Sequence, residues 1–397
     1  MMKTKHWMRT LVICCSALLF SRMMWADDLR IQSFDRTGMV TFNELTTATT
    51  YRIDWANSPT GTWHTGSPGV TGLVARGFGT NSAMLGINAT NSFFQLVASV
   101  TNAPFFLVVD ISGGVAAPNF PVSTMMAVPA GGWTDDYKTT KIVFRRIPAG
   151  TFTMGSPTNE LGRYIDETQH QVTLSQDFYI GVFQVTQKQW ERIMGNWPSY
   201  FTNPVYCSKR PVETVSYNDI RGASLGANWP ATNTVDSSSF MGVLRAKTGK
   251  AFDLPTESQW EYACRAGTLT ALNNGSNFVT GTQDPGMDQV GRYYFNGGSA
   301  YAKNGNATVG TAEVGSYLAN AWGLYDMHGN VFEACLDWYD TYPGDVIDPR
   351  GAASGSARVT RGGSWDDYAA NCASAYRTHG YPSNGGLRAG FRAVVPH

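Results

Sequence analysis

Helix punctuation constrains this chain more than any other feature of its sequence. Thr186-Gln-Lys-Gln189 and Thr256-Glu-Ser-Gln259 each place a threonine three residues before a glutamine. That is the capping box, in which the two side chains satisfy each other's backbone donors at a helix start. Each box is soon followed by a glycine, Gly195 or Gly267, the residue best suited to the left-handed turn that ends a helix. The helices so bounded carry Trp190, Ile193 and Met194 in one case and Trp260-Glu-Tyr-Ala-Cys264 in the other. Ser216-Tyr-Asn-Asp219 can open another, and a helical pattern over roughly 237–247 ends at Gly249. Everything else has to be strand or loop. The composition fits, with 42 Gly, 20 Phe, 18 Tyr and 12 Trp beside only 15% charged residues, where an ordinary domain carries roughly 25%. A helical bundle or coiled coil is excluded, because it needs far more Glu, Lys, Leu and Ala. The expected class is α+β: loop-rich, with short sheets and a few short helices.

At 397 residues and 43% hydrophobic, the chain can bury a sizeable core. Lys+Arg and Asp+Glu balance at 30 each, so nothing in the charge favours nucleic acid or an acidic membrane surface. Lys3, Lys5 and Arg9 precede the apolar run Leu11–Phe20, which is too short to span a bilayer. Ala26 stands just before Asp27-Asp28. Residues 1–26 therefore read as an export signal cleaved near Ala26, the alternative being an uncleaved N-terminal anchor. No later stretch is long and apolar enough to span. The mature protein is expected to be exported, whether periplasmic, cell-surface or secreted.

Residues 27–103 read as a small all-β domain. Tyr51, Ile53 and Trp55 alternate along Thr50–Trp55, Arg30–Phe34 and Met39–Phe42 are short extended runs, and Phe93–Val97 closes the unit. His64 stands alone there and reads as a surface residue. Residues 104–140 contain a strand candidate, Phe105–Ile111, and then a Gly/Pro-rich approach segment. Residues 141–397 form the second domain. Beyond the signal the cysteines are Cys207, Cys264, Cys335 and Cys372. None pairs as C-x-x-C, so zinc-ribbon and thioredoxin chemistry are unsupported, and an exported protein can hold disulfides.

A series of blocks runs through the second domain: Ile147-Pro-Ala-Gly-Thr-Phe-Thr-Met-Gly155, Phe178-Tyr-Ile-Gly-Val-Phe-Gln-Val-Thr186, Arg210-Pro-Val-Glu-Thr-Val-Ser216, Leu254 to Gly267, Trp322-Gly-Leu-Tyr-Asp-Met-His-Gly-Asn-Val-Phe-Glu333, Arg361-Gly-Gly-Ser-Trp365 and Ala389-Gly-Phe-Arg392. In this order they resemble the formylglycine-generating enzymes, or sulfatase-modifying factor domains. The resemblance implies a C-type-lectin-like core and leaves the N-terminal unit outside it. The founding activity of that family oxidises a cysteine in a Cys-x-Pro-x-Arg segment of a sulfatase polypeptide to formylglycine. It uses oxygen and copper held by two cysteines in the pattern Gly-Gly-Ser-x-x-Cys-x4-Cys.

Here Gly362-Gly-Ser364 leads to Asp367 at the first cysteine position and Cys372 at the second. A carboxylate is a hard donor poorly matched to Cu(I), so copper is not expected. Cys372 then reads either as a remnant catalytic thiol or, more plainly, as a buried or disulfide-bonded core residue, with Cys335 favoured over Cys264 as partner. Ser364 lines the substrate groove in the family. Adjacent Asp366-Asp367 could be an acid–base pair, but neighbours on an extended strand face opposite ways. The histidines form no cluster, so an iron site is not proposed. The P-loop, the G-x-S-x-G elbow and H-E-x-x-H are absent from the sequence.

The clearest implied site is for calcium. Asp326-Met-His-Gly329-Asn-Val331-Phe-Glu333 sets two carboxylates around a glycine turn, and calcium takes six to eight oxygens from carboxylates and carbonyls. The resemblance assigns a side-chain oxygen to Asp326, carbonyls to Gly329 and Val331, and a carboxylate to Glu333. The alternative is a structural turn with Glu333 buried against an arginine. A second calcium site would fall on Asn296, Gly297, Asn306 and Thr308. Two functions follow from these residues. One is a binding module that keeps the scaffold and calcium loop, loses the copper pair, and displays Trp365, Tyr368, Tyr376 and Tyr381 around a groove for a peptide or glycan. The other is an oxidoreductase acting on a sulfatase polypeptide.

Overall fold

The computed structural model describes residues 104–297 and 302–396 in full and, within residues 1–103, the backbone of the strands. The chain divides into two units, Met1–Ala103 and Pro104–His397. In the first, all pairing is antiparallel, in two four-stranded sheets. One sheet runs Met8–Cys14, Phe93–Ser99, Thr50–Ala56, His64–Thr65, and the other Ile31–Phe34, Met39–Asn43, Thr80–Leu85, Val70–Val74. The alternating runs read as strands in the sequence are strands. Part of the apolar stretch read as an export signal forms the edge strand Met8–Cys14. The position after Ala26 lies outside the described residues, as does the His64 side chain.

The second unit is organised by a five-stranded antiparallel sheet in the order Val122–Met125, Phe106–Asp110, Lys141–Ile147, Phe178–Gly181, Val394–Pro396. The strand expected at Phe105–Ile111 forms as Phe106–Asp110, and the approach segment expected after it supplies a second strand, Val122–Met125. Phe106, Leu107, Val108 and Val109 are all buried, whereas Val122–Met125 has no buried residue and is held at the sheet edge by pairing with them.

The helices are as short as their punctuation requires. Gln187–Met194 and Glu257–Arg265 both open with complete capping boxes, at Thr186/Gln189 and Thr256/Gln259. Gln187–Met194 closes on Gly195 at φ 78°. Glu257–Arg265 closes one residue earlier than its glycine suggests, on Ala266 at φ 45°. Tyr217–Arg221 has the Ser216/Asp219 box, and Phe240–Thr248 runs from Ser239 to Gly249. The buried faces join the core where Trp190 stacks on Phe240, ring centroids 5.3 Å apart, against the edge of Phe391.

A second sheet, Arg377–Gly380, Arg358–Arg361, Phe332–Trp338, Ala389–Gly390, holds the late sequence blocks. Gly291–Arg292 pairs in parallel with His328–Gly329. Fully buried arginines tie these pieces together. Arg361 and Arg265 converge on Glu261, whose side chain is completely covered. Burial would raise the Glu261 carboxyl, but the two guanidinium groups overcome it and hold the group below its usual range.

Candidate functional site

The Asp326–Glu333 segment folds as a tight loop with left-handed backbone at Asp326, Gly329 and Asn330. Gly329 is obligatory, since a Cβ there would lie 1.9 Å from the Arg292 carbonyl oxygen. The loop is tied directly to the segment 362–365. Gly329 N–H donates to the Gly362 carbonyl at 2.6 Å, and Trp365 N–H to the Asn330 carbonyl at 2.9 Å.

Four oxygens of this loop converge on one point. The carbonyls of Asp326, Gly329 and Val331 and Oε1 of Glu333 lie 3.2, 3.3, 3.2 and 3.0 Å from a single atom, Nε2 of Gln184. Glu333 is also gripped by Arg392, Nε to Oε2 at 2.7 Å and Nη2 to Oε1 at 2.8 Å, and by the Trp260 indole at 2.7 Å. Asp326 differs from the sequence expectation. It brings its carbonyl to the cluster, while its carboxylate Oδ2 accepts from Gly315 N–H at 2.7 Å and Oδ1 has no hydrogen-bond partner. Burial pushes that carboxyl up to about 6. Three carbonyls and a carboxylate around one centre are donors of the kind a hard cation takes, so the residues fit calcium here.

The second expected calcium site does not fit. Two of its carbonyls, those of Asn296 and Asn306, already accept from arginine side chains, which also hold the carbonyls next to them. Arg292 donates to Gly310 at 2.9 Å, to Ala307 at 2.8 Å and to Asn296, and Arg210 donates to Asn306 at 2.7 Å. The Asn296 amide is spent on Tyr293 N–H and the Gly291 carbonyl, and the Asn306 side chain accepts from Thr308. Gly297 bonds to Gly310. The buried Arg292 guanidinium sits among the Asn296, Ala307 and Gly310 oxygens as their donor.

Gly362 and Gly363 have φ of 92° and 74°, which turns Ser364 inward rather than toward the groove the resemblance implied. Ser364 is fully buried and its hydroxyl donates to Oδ2 of Asp367. Arg388 bonds to Asp366 and reaches within 3.9 Å of Asp367. Burial raises the Asp367 carboxyl, partly offset by Ser364 and Arg388. Cys372 has no exposed surface and packs in a cluster with Leu272, Met287, Tyr293 and Tyr376. A Cβ on Gly363 would fall 2.4 Å from its sulfur. Burial pushes its thiol far above the ordinary range, which disfavours a thiolate. These donors do not fit a two-thiolate copper centre. Among the described residues there is no disulfide: Cys207, Cys264, Cys335 and Cys372 are all free, against the Cys335 pairing favoured from sequence. His328 holds the Cys372 segment instead, donating from Nδ1 to the Cys372 carbonyl at 2.6 Å while Nε2 accepts from Asn273 at 3.0 Å.

The expected aromatic display divides. Trp365 is fully buried against Phe201, and Tyr376 is buried too, whereas Tyr368 and Tyr381 are exposed. Tyr294 and Phe295, not singled out in the sequence, join Tyr368 because Tyr294 N–H bonds to the Asp367 carbonyl. Phe295 stacks on Tyr368 at 5.8 Å and Tyr294 meets its edge at 5.5 Å. Phe295 is 42% and Tyr368 49% exposed. Elsewhere a cavity of about 380 Å³ is lined by Glu257, Asp337, Trp338, Tyr342, His170 and Arg377 among others.

Residues 135–396 match the family model for the sulfatase-modifying factor enzyme 1-like domain. The formylglycine-generating enzyme of Mus musculus is 27% identical over 63% of this chain and 74% of its own length. The chaperone protein LppX of Paenibacillus barcinonensis is 32% identical over 49% of this chain and 71% of its own. Among solved structures, Treponema denticola variable protein 1 superposes with a TM-score of 0.50 at 27% identity, covering 65% of this chain and 96% of that one.

Proposed function

The chain belongs to the sulfatase-modifying factor enzyme 1-like family, and from that premise we propose that it is an exported binding module for a peptide or glycan, stabilised by calcium. One observation carries the reading: the groove's first thiolate position holds Asp367, locked by Ser364 and flanked by Arg388. Two features support a binding role. Exposed Phe295 and Tyr368 and half-buried Tyr294 form a patch tied to the Asp367 backbone, and aromatic faces beside a charged pair suit both sugar rings and peptide side chains. The calcium part rests on the oxygen cluster of the Asp326–Glu333 loop, which hydrogen-bonds straight to the segment 362–365.

The test is a binding and turnover assay on one set of ligands. Cys-x-Pro-x-Arg peptides, their serine counterparts and a panel of oligosaccharides are titrated against the full chain, with mass spectrometry of the cysteine peptide after incubation with Cu(I) and oxygen. Binding that Tyr368→Ala weakens at least tenfold, without loss of the peptide thiol, is the expected result. Conversion of the thiol to an aldehyde would replace this reading with the sulfatase-modifying oxidoreductase. N-terminal sequencing of secreted protein tests export, with a start near Asp27 expected.

A further inference from the structure

The Gln184 amide sits in the oxygen cluster in a way its own chemistry cannot satisfy. A primary amide nitrogen carries two hydrogens. Nε2 of Gln184 faces four oxygens at 3.0 to 3.3 Å, so at least two of them have no full hydrogen bond from it. Its other end is worse off. Oε1 is fully buried and has no hydrogen-bond partner, the kind of orphaned acceptor that folded proteins rarely keep. Gln184 is therefore a poor plug for the cluster, with one end overcommitted and the other unused.

We propose that Gln184 is a two-position ligand of the Asp326–Glu333 loop, holding the loop with its nitrogen when no ion is present and coordinating a calcium ion with its oxygen when one is. The inference rests on the calcium reading given above. A half-turn of the amide exchanges nitrogen and oxygen without moving the backbone. It brings Oε1 to the four oxygens as a fifth donor and turns Nε2 away. An added hard cation then reconciles all five oxygens, and water can complete the six to eight that calcium takes. Without the ion, the nitrogen-in position keeps the carbonyls from facing one another bare.

Two features of the cluster set its strength. Glu333 is the single carboxylate among the converging oxygens, and Arg392 already shares both of its oxygens. So low a charge places the site with weak extracellular calcium modules, at roughly 10⁻⁴–10⁻³ M. The site should therefore be filled in calcium-rich surroundings and empty in calcium-poor ones, with Gln184 keeping the loop folded in both.

The experiment uses the full chain, stripped with chelator, and follows calcium binding by calorimetry and unfolding temperature with and without 10 mM calcium. Three proteins are compared: wild type, Gln184→Leu and Gln184→Glu. Wild type should bind one calcium in the sub-millimolar to millimolar range and melt higher with it. Gln184→Leu should bind at least tenfold more weakly and melt lower than wild type even without calcium, since the carbonyls lose the Gln184 amide. Gln184→Glu should bind at least tenfold more tightly yet be less stable than wild type when stripped, because it offers oxygens where the empty cluster needs a donor. Should Gln184→Leu fail to fold, the opposed shifts of Gln184→Glu still decide. Equal calcium affinity in wild type and either folded variant would overturn the role of Gln184 and leave the calcium site standing. Wild type that binds no calcium at 10 mM would overturn the calcium reading, and the ligand role with it.

Discussion

Removing the charge of Glu261 should cost more than any surface change of the same size. Its Oε1 accepts from Gly155 N–H and Arg265 Nε, each at 2.8 Å, and its Oε2 from Arg361. Arg361 in turn donates to the Ala375 carbonyl at 2.6 Å and to that of Tyr376, and its backbone leads into the Gly362-Gly-Ser364 turn. Glu261→Gln keeps the volume and one oxygen but leaves two guanidinium groups, on residues 3% and 0% exposed, without their shared counterion. Breaking a buried pair in this way costs about 3–5 kcal/mol. At roughly 2–4 °C per kcal/mol for a unit of this size, the melting temperature should fall by about 6–20 °C. The control is Glu191→Gln, which breaks the 2.9 Å Lys188–Glu191 pair on the surface and should change stability by less than about 1 kcal/mol. Differential scanning calorimetry of the three proteins at neutral pH reads both. A Glu261→Gln shift no larger than that of the control would refute the claim that this carboxylate anchors the Arg361–Ser364 segment.

Asp337 gives a pH prediction. Burial and then Glu257 raise its carboxyl from 3.8 to about 7. The folded state therefore holds this proton more tightly, and the group costs stability as pH climbs from about 4 to about 7, with a constant cost above. Asp337→Asn should gain on wild type across that window and match it below pH 4; parallel melting curves would contradict this. Cys372 should resist thiol reagents in native protein, and denaturation without reductant should release all of the Cys207, Cys264, Cys335 and Cys372 thiols. Fast native labelling of Cys372, or a missing thiol, counts against the free buried cysteines. Asp367→Cys should raise Cu(I) affinity over wild type by competition with a chromophoric chelator, because it supplies a soft donor in place of a hard one; unchanged affinity would show that Cys372 is out of reach.

What could be read from the sequence was mostly local. Capping boxes act within four residues, so the helices were legible at Thr186, Ser216 and Thr256. The ordered blocks carried the fold. Partnerships across the chain were not legible. Glu333 meets Trp260, Gln184 and Arg392 from three distant segments. Each lies in one of the sequence blocks, but nothing local marks them as neighbours. The same blindness put Trp365 and Tyr376 on display when packing against Phe201 and the Cys372 cluster buries them, and it gave Asn296 and Asn306 to an ion when Arg292 and Arg210 hold that loop. Charge on an arginine is visible in a sequence, but the loop it closes is not.

Arg292 makes the two neighbouring loops respond differently to their surroundings. Its guanidinium is covalently attached, so its local concentration is fixed: no chelator removes it, no dilution empties it, and no competing ion exchanges with it. Its backbone forms one strand of the parallel pair whose other strand is His328–Gly329, and its carbonyl accepts from Asn330 N–H at 2.8 Å. The carbonyls of Asn296, Ala307 and Gly310 thus have a permanent donor, and they form a fixed abutment. Any change that the medium works on the Asp326–Glu333 loop has to be taken up on its far side, where Gly329 and Asn330 bond to Gly362 and Trp365.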